Sequence, residues 1–352
     1  MTNFPMPVTA SPSPADVRLF QLKEWLASLT ATPLRPDSLR PASADASFRR
    51  YFRLDTVAGG TLIAMDAPPP QEDVRPFLKV AGVLAETGVS VPQVLAQDVE
   101  RGFLLLSDLG SSTYLHQLNA DSAHRLYMDA IDALLQMQLH SRPGVLPEYD
   151  RALLLRELNL FPEWYVGKHL GVSLDEQQSA QLQQVFDALL ANNLAQPQVY
   201  VHRDYHSRNL MVLPGDHAGN PGILDFQDAV YGPITYDLVS LLRDAYIRWD
   251  EEMVLDWAIR YWEGARRAGL PVSHDIDAFY RDFEFMGLQR HLKVLGIFAR
   301  LYHRDGKDGY LKDLPLVMEY ARKTAHRYNV LKPLARLLDT LEEKAPQFGY
   351  TF

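Results

Sequence analysis

The chain has 352 residues, 47% hydrophobic and 22% charged, with no cysteine, a formal net charge of −9 and a pI near 5.7. This is the composition of a soluble globular protein with room for one large or two moderate cores. It excludes disulfides and thiolate metal sites, and it argues against a nucleic-acid or anionic-membrane partner because no broad basic surface is available to release counterions.

The start, "MTNFPMPVTASPSPA", has no basic stretch leading into an apolar one, and no window approaches 18 uncharged apolar residues. Residues 1–14 are expected to form a flexible tail of a cytoplasmic protein, followed by a helix from Ala15 to about Leu29. Strand signals follow in "ASFRRYFRLDT", "TLIAMDA", "PQVLAQD" and "GFLLLSDL", the last three being short apolar runs bounded by Gly, Pro or Asp. One helix interrupts them from about Asp73 to Thr87, stopped by Gly88 and Pro92. From Ser112 onward apolar residues recur at three- and four-residue spacing in "SAHRLYMDAIDALLQMQLH", "LLLRELNLFPEWYVGKHL" and "DEQQSAQLQQVFDALLANN", predicting helices. A strand pair, "QVYVH" and "NLMVL", then flanks a polar loop, with "GILDF" soon after. The expected architecture is α+β and two-lobed. Residues 15–107 form a small β-rich N-lobe, Leu106 to Gly110 a connector, and residues 108–352 a larger helical C-lobe.

The polar loop carries the chemistry. In "VHRDYHSRNLMVL", Asp204 follows His202 by two residues, Asn209 follows Asp204 by five, and Asp225 in "GILDFQDA" follows Asn209 by sixteen. Any one of these residue types is common in turns, where its side chain bonds nearby backbone. Together they match the H-x-D-x-x-x-x-N loop and metal-binding Asp-Phe that kinases use. Phosphoryl transfer from ATP needs a carboxylate beside the attacking hydroxyl and two oxygen ligands holding Mg2+ against the triphosphate. Asp204 fits the first role, and Asn209 and Asp225 the second. No G-x-x-x-x-G-K-[ST], G-x-G-x-x-G or H-E-x-x-H occurs, which excludes a P-loop kinase.

These segments, with "GILDFQDAVYGPITYDLVSLL" and "TGVSVPQVLAQD", resemble the aminoglycoside phosphotransferase and choline kinase superfamily, a small-molecule branch of the protein kinase-like fold. Within it, "ASFRRYFRL", "IAMDAPPPQED" and "RELNLFPEWY" are similar to bacterial kinases that phosphorylate the anomeric hydroxyl of N-acetylmuramate and N-acetylglucosamine in peptidoglycan recycling. The resemblance implies ATP and Mg2+ as cofactors, a small-molecule sugar as substrate and a monomer. It places Asp204 at the catalytic carboxylate, His202 as a brace of the loop, Asn209 and Asp225 as metal ligands, and Asp237 as a cap bonding the loop backbone from below. Ser107, Asp108 and Leu109 match the hinge that bonds adenine.

The pattern also departs from the superfamily. Met65 stands where a third-strand lysine usually holds the nucleotide phosphates, so Arg49, Arg50 and Arg53, with Ser47 near the hairpin turn, become the candidates to cover the triphosphate. For the sugar, Glu157, Phe161, Trp164, Tyr165 and Lys168 are expected on one broad helical face. Gln227 and the helix cations Arg290, Lys293 and Arg300 complete the candidates, a cation being suited to the N-acetylmuramate carboxylate. An aminoglycoside or amino-alcohol kinase on the same fold, or an inactive nucleotide-binding module, are the alternatives.

Overall fold

The structure, a computed structural model, describes residues 14–44, 48–213 and 219–342. The expected tail falls outside the described residues up to residue 13, and so does Ser47.

Contacts divide the chain into two compact units: residues up to Ala81 with Pro92–Leu109, and Gly82–Val91 with the residues from Gly110 onward. The division thus falls two residues beyond the expected boundary and assigns 82–91 to the helical unit.

The first unit opens with α1 (Pro14–Ser28), followed by β1 (Leu34–Ala44), β2 (Arg50–Thr56) and β3 (Thr61–Asp66). After α2 (Arg75–Glu86), β4 (Val94–Asp98) and β5 (Phe103–Ser107) complete an antiparallel sheet in the order β1-β2-β3-β5-β4. Leu22, Trp25 and Leu26 of α1 bury their side chains with Leu54, Ala64, Phe103 and Leu105 of the sheet, and the Trp25 and Phe103 rings lie 5.8 Å apart. An ion pair supports this docking: the fully buried Asp66 accepts from Arg18 at 2.5 and 2.9 Å through one oxygen and from Arg50 through the other. Strand β1 has no counterpart among the predicted elements. Its sequence, LRPDSLRPASA, contains Pro36 and Pro41, which cannot donate to a ladder. It is tolerated because β1 is an edge strand with register breaks between Arg35 and Arg40 and between Pro41 and Ser43.

The second unit is mainly helical: α3 (Tyr114–Gln117), α4 (Ala123–Leu139), α5 (Arg151–Leu158), a π-helical segment (Phe161–His169) and α6 (Glu176–Leu194). Next come β6 (Gln198–Val201), β7 (Leu210–Met211), β8 (Gly222–Ile223) and β9 (Val230–Pro233), then α7 (Tyr236–Leu242), α8 (Glu251–Ala268), α9 (Ile276–Asp305), α10 (Leu314–Arg327) and α11 (Lys332–Glu342). Helix α9 is the axis of this unit. Its 30 residues span about 45 Å, and every residue from Phe283 to Gly296 is buried, as a helix packed on all sides requires. Asp275 caps its start, accepting from Asp277 N at 3.0 Å, and Gly306 ends it in the left-handed conformation at φ 67°.

Two differences from the expected elements bear on the site. The strands flanking the polar loop do not pair with each other: β6 pairs with β9 and β7 with β8, so the loop is suspended between two short ladders. The expected sugar-facing helix surface also does not form. In the π-helical segment hydrogen bonds reach five residues back, as in Leu170 N to Tyr165 O at 3.0 Å, so a 3.6-residue period no longer aligns the side chains. Glu157, Phe161 and Tyr165 are buried, Trp164 is half-buried and Lys168 is exposed.

Candidate active site

The loop from His202 to Asn209 and the segment from Leu224 to Ala229 leave their two ladders side by side, and backbone bonds lock them together. Leu224 N donates to Asn209 O at 2.9 Å, and His202 Nε2 bonds Leu224 O at 2.9 Å. With Nε2 facing a carbonyl, Nδ1 of His202 is the acceptor, and it receives Asp204 N at 3.2 Å. Burial pushes the His202 pKa down to about 4 against the pull of Asp204, so the ring is neutral near pH 7. Asp237, on the first turn of α7, accepts from His202 N at 2.6 Å and from Arg203 N at 2.9 Å. This clamp holds Arg203 at φ 78°, in the left-handed region unusual for a side-chain-bearing residue; Asp225 shares that region at φ 63°.

Asp204 projects from this loop, half-buried. Burial alone would raise its pKa, but Lys293, His206, Arg290 and Arg203 outweigh it and hold the carboxyl below its ordinary value. It is therefore an ionised acceptor at neutral pH. Asn209 Nδ2 donates to Asp204 O at 3.0 Å and to Asp225 Oδ2 at 3.3 Å, while Gln227 Nε2 donates to Asp225 Oδ1 at 2.8 Å.

Around Asp204 lies a buried ionic network. Glu157 accepts from Arg203 and Tyr149, and its Oε1 lies 3.1 Å from Lys293 Nζ, which also donates to Tyr236 Oη at 2.9 Å. Glu157 thus serves as the counter-ion of two cations, and the charges of Lys293 and Arg203 keep its carboxyl below the ordinary range despite burial. Arg203, His206, Tyr149 and Tyr236 carry no assigned role in the reading of the sequence. Arg203 and His206 stand inside the motif itself, and a charged residue between motif positions was the available signal.

The remaining candidates are dispersed. Arg300 lies ten residues beyond Arg290 on α9, about 15 Å along the helix. Trp164 and Tyr165 lie in the π-helical segment, Tyr165 stacked on Phe161 with ring centroids 5.7 Å apart. In the first unit all three arginine head groups are engaged by carboxylates: Arg49 Nε with Glu72 at 3.1 Å, Arg50 with Asp66, and Arg53 with Asp108 at 2.5 and 3.0 Å. Of the hinge residues, Ser107 N donates to Gln93 O at 2.9 Å and the Asp108 carboxylate also accepts from Thr61 at 2.6 Å, while Leu109 is half-buried. Met65 is fully buried.

Among the described residues no group of three or more His, Asp or Glu side chains is arranged to hold a metal. The donor set nevertheless fits Mg2+, which commonly takes one or two protein oxygens and completes its shell with phosphate and water. Asn209 donates to Asp204 O and Asp225 Oδ2 through its side-chain nitrogen, so the same amide carries a hard oxygen suited to a metal in addition to the Asp225 carboxylate.

Residues 38–270, about two thirds of the chain, match the model of the "Phosphotransferase enzyme family". An N-acetylmuramate/N-acetylglucosamine kinase of Neisseria meningitidis serogroup B is 53% identical over 340 residues, covering 95% of this chain and 99% of the relative. A kinase of the same name from Pseudomonas putida is 50% identical over 338 residues, covering 94% and 98%. In fold, the amicoumacin kinase hAmiN, solved with AMP-PNP, Ca2+ and Ami, superposes with a TM-score of 0.60 at 16% identity over 88% of this chain and 96% of that one. With its β-sheet unit, helical unit and kinase-like fold, the chain belongs to the phosphotransferase enzyme family.

Proposed function

We propose that the protein transfers the γ-phosphoryl group of ATP to the anomeric hydroxyl of N-acetylmuramate and N-acetylglucosamine, giving the sugar 1-phosphate in peptidoglycan recycling, as a cytoplasmic monomer. The observation that carries this reading is the ionised Asp204 carboxylate standing beside Asn209 and Asp225, in a chain half identical to near full-length sugar kinases.

Asp204 orients the sugar hydroxyl and accepts its proton as the new O–P bond forms and the bond from the γ-phosphorus to the β,γ-bridging oxygen breaks, releasing ADP. Asn209 and Asp225 would hold Mg2+, which when bound neutralises charge on the phosphates. Gln227 fixes the Asp225 carboxylate from behind, and Asp237 fixes the loop through the amides of His202 and Arg203. The cations around Asp204 repel a polycationic aminoglycoside and suit a neutral or acidic sugar.

The test follows ADP release with Mg·ATP and each sugar, with phosphorus NMR of the product. A 1-phosphate is expected, and Asp204→Asn is expected to lower turnover by about 10²- to 10⁴-fold. Absence of turnover on both sugars would refute the substrate assignment.

A further inference from the structure

Three cations of α9 were candidates for a substrate anion, and the structure uses them differently. Lys293 is committed to Glu157 and Tyr236. Arg300 is about 15 Å farther along the helix. Arg290 is only 4% exposed, yet its Nε and Nη1 are both buried with no hydrogen-bond partner among the described residues. The same holds for Nδ1 of His206, which is 8% exposed.

Buried polar groups are nearly always hydrogen-bonded, and a charged one left unpaired is especially costly. The carboxylates of this region do not relieve Arg290. Asp237 is taken up by the amides of His202 and Arg203, and Asp244 by Ser207 N at 3.0 Å, the Ser207 hydroxyl, and Tyr246 N at 3.1 Å. Asp204 makes no hydrogen bond to Arg290, although the Arg290 charge acts on both Asp204 and His206. A buried guanidinium with open donors, next to the carboxylate that receives the sugar hydroxyl, is matched by an anion carried on the substrate.

Resting on the sugar-kinase reading, we infer that Arg290, with His206 beside it, is the receptor for a carboxylate on the sugar, the lactyl ether group that distinguishes N-acetylmuramate from N-acetylglucosamine. It is then the specificity-determining residue between the two substrates. Arg290→Gln and Arg290→Lys are compared with wild type for kcat and KM on both sugars, with thermal melts as the check on folding. Any loss through Asp204 falls on both sugars and cancels in the ratio of their kcat/KM values. Arg290→Gln is expected to lower the N-acetylmuramate to N-acetylglucosamine ratio about 10- to 100-fold, chiefly through KM for N-acetylmuramate, with Arg290→Lys restoring part of it. The wild-type protein supplies a second readout that needs no variant: the carboxamide of N-acetylmuramate should bind about 10- to 100-fold more weakly than the acid. An unchanged ratio, or an amide that binds as well as the acid, overturns the inference while turnover of both sugars leaves the kinase reading in place. If wild type turns over neither sugar, the kinase reading fails and the inference with it.

Discussion

Replacing Glu157 by Gln keeps the shape of the side chain and removes the charge that the buried Lys293 and the half-buried Arg203 share. Glu157 is 5% and Lys293 6% exposed, so water does little to compensate either partner. The carboxylate makes contacts with Arg203, Lys293 and Tyr149. A hydrogen bond to a charged group contributes about 1.5–3 kcal/mol and a neutral one about 0.5–1.5, so three weakened contacts predict a loss of roughly 3–4.5 kcal/mol. Breaking a buried ion pair from one side costs about 3–5 kcal/mol, which agrees. Urea unfolding followed by tryptophan fluorescence measures this. Glu157→Gln combined with Lys293→Met should recover a substantial part of the loss, because the second change removes one of the cations left unpaired. A single variant within about 0.5 kcal/mol of wild type would refute the reasoning; so would strictly additive losses in the double variant.

Gly296→Ala should lower stability by about 1–3 kcal/mol or more, since the new Cβ would lie 2.4 Å from the backbone carbon and oxygen of Leu160; the same urea titration reads it. Burial pushes the Asp237 pKa up to about 7 from 3.8, so the native state binds its proton more tightly and this group's contribution to stability is lost as pH rises from about 4 to 7. His202, depressed from 6.5 to about 4, contributes the opposite slope, with stability lost as pH falls through that window. Asp237→Asn should therefore make stability rise more steeply with pH between 4 and 7 than in wild type, and an unaltered slope in unfolding measured across that range would contradict it. Gln227→Met removes the donor to Asp225 Oδ1 and should raise the Mg2+ concentration for half-maximal turnover about 10- to 100-fold, read by metal titration of ADP release.

The juxtaposition of His202, Asp204, Asn209 and Asp225 was legible in the sequence because a loop between short strands fixes the relative placement of its side chains by chain spacing. The helices from α4 onward were legible for a related reason, the periodicity of their apolar residues. Where that period fails, so did the expectation: at the π-helical segment the packing of Gly296 against Leu160, more than a hundred residues away in the chain, accompanies a change of turn that no local pattern records. Long-range pairing hid the rest. Glu157 reads as one polar group of a sugar-facing helix surface until Arg203 and Lys293 are folded onto it, and Arg53 reads as an open cation until Asp108 is brought to its side. Strand β9, Val230–Pro233, has the Gly-Pro content of a turn and becomes a strand through its ladder with β6.

The irregular strand β1 has a consequence beyond the unit it closes. A sheet ends in a row of unpaired donors and acceptors, which invites another chain to add a strand. Pro36 and Pro41 carry no N–H to offer, and the two register breaks interrupt the pitch of the strand, so an incoming strand finds no long regular run to copy. At the opposite edge β4 is only five residues long and has its own register break between Val94 and Ala96. Prolines and register breaks on one flank, and a short, broken strand on the other, thus guard the sheet against edge-to-edge aggregation.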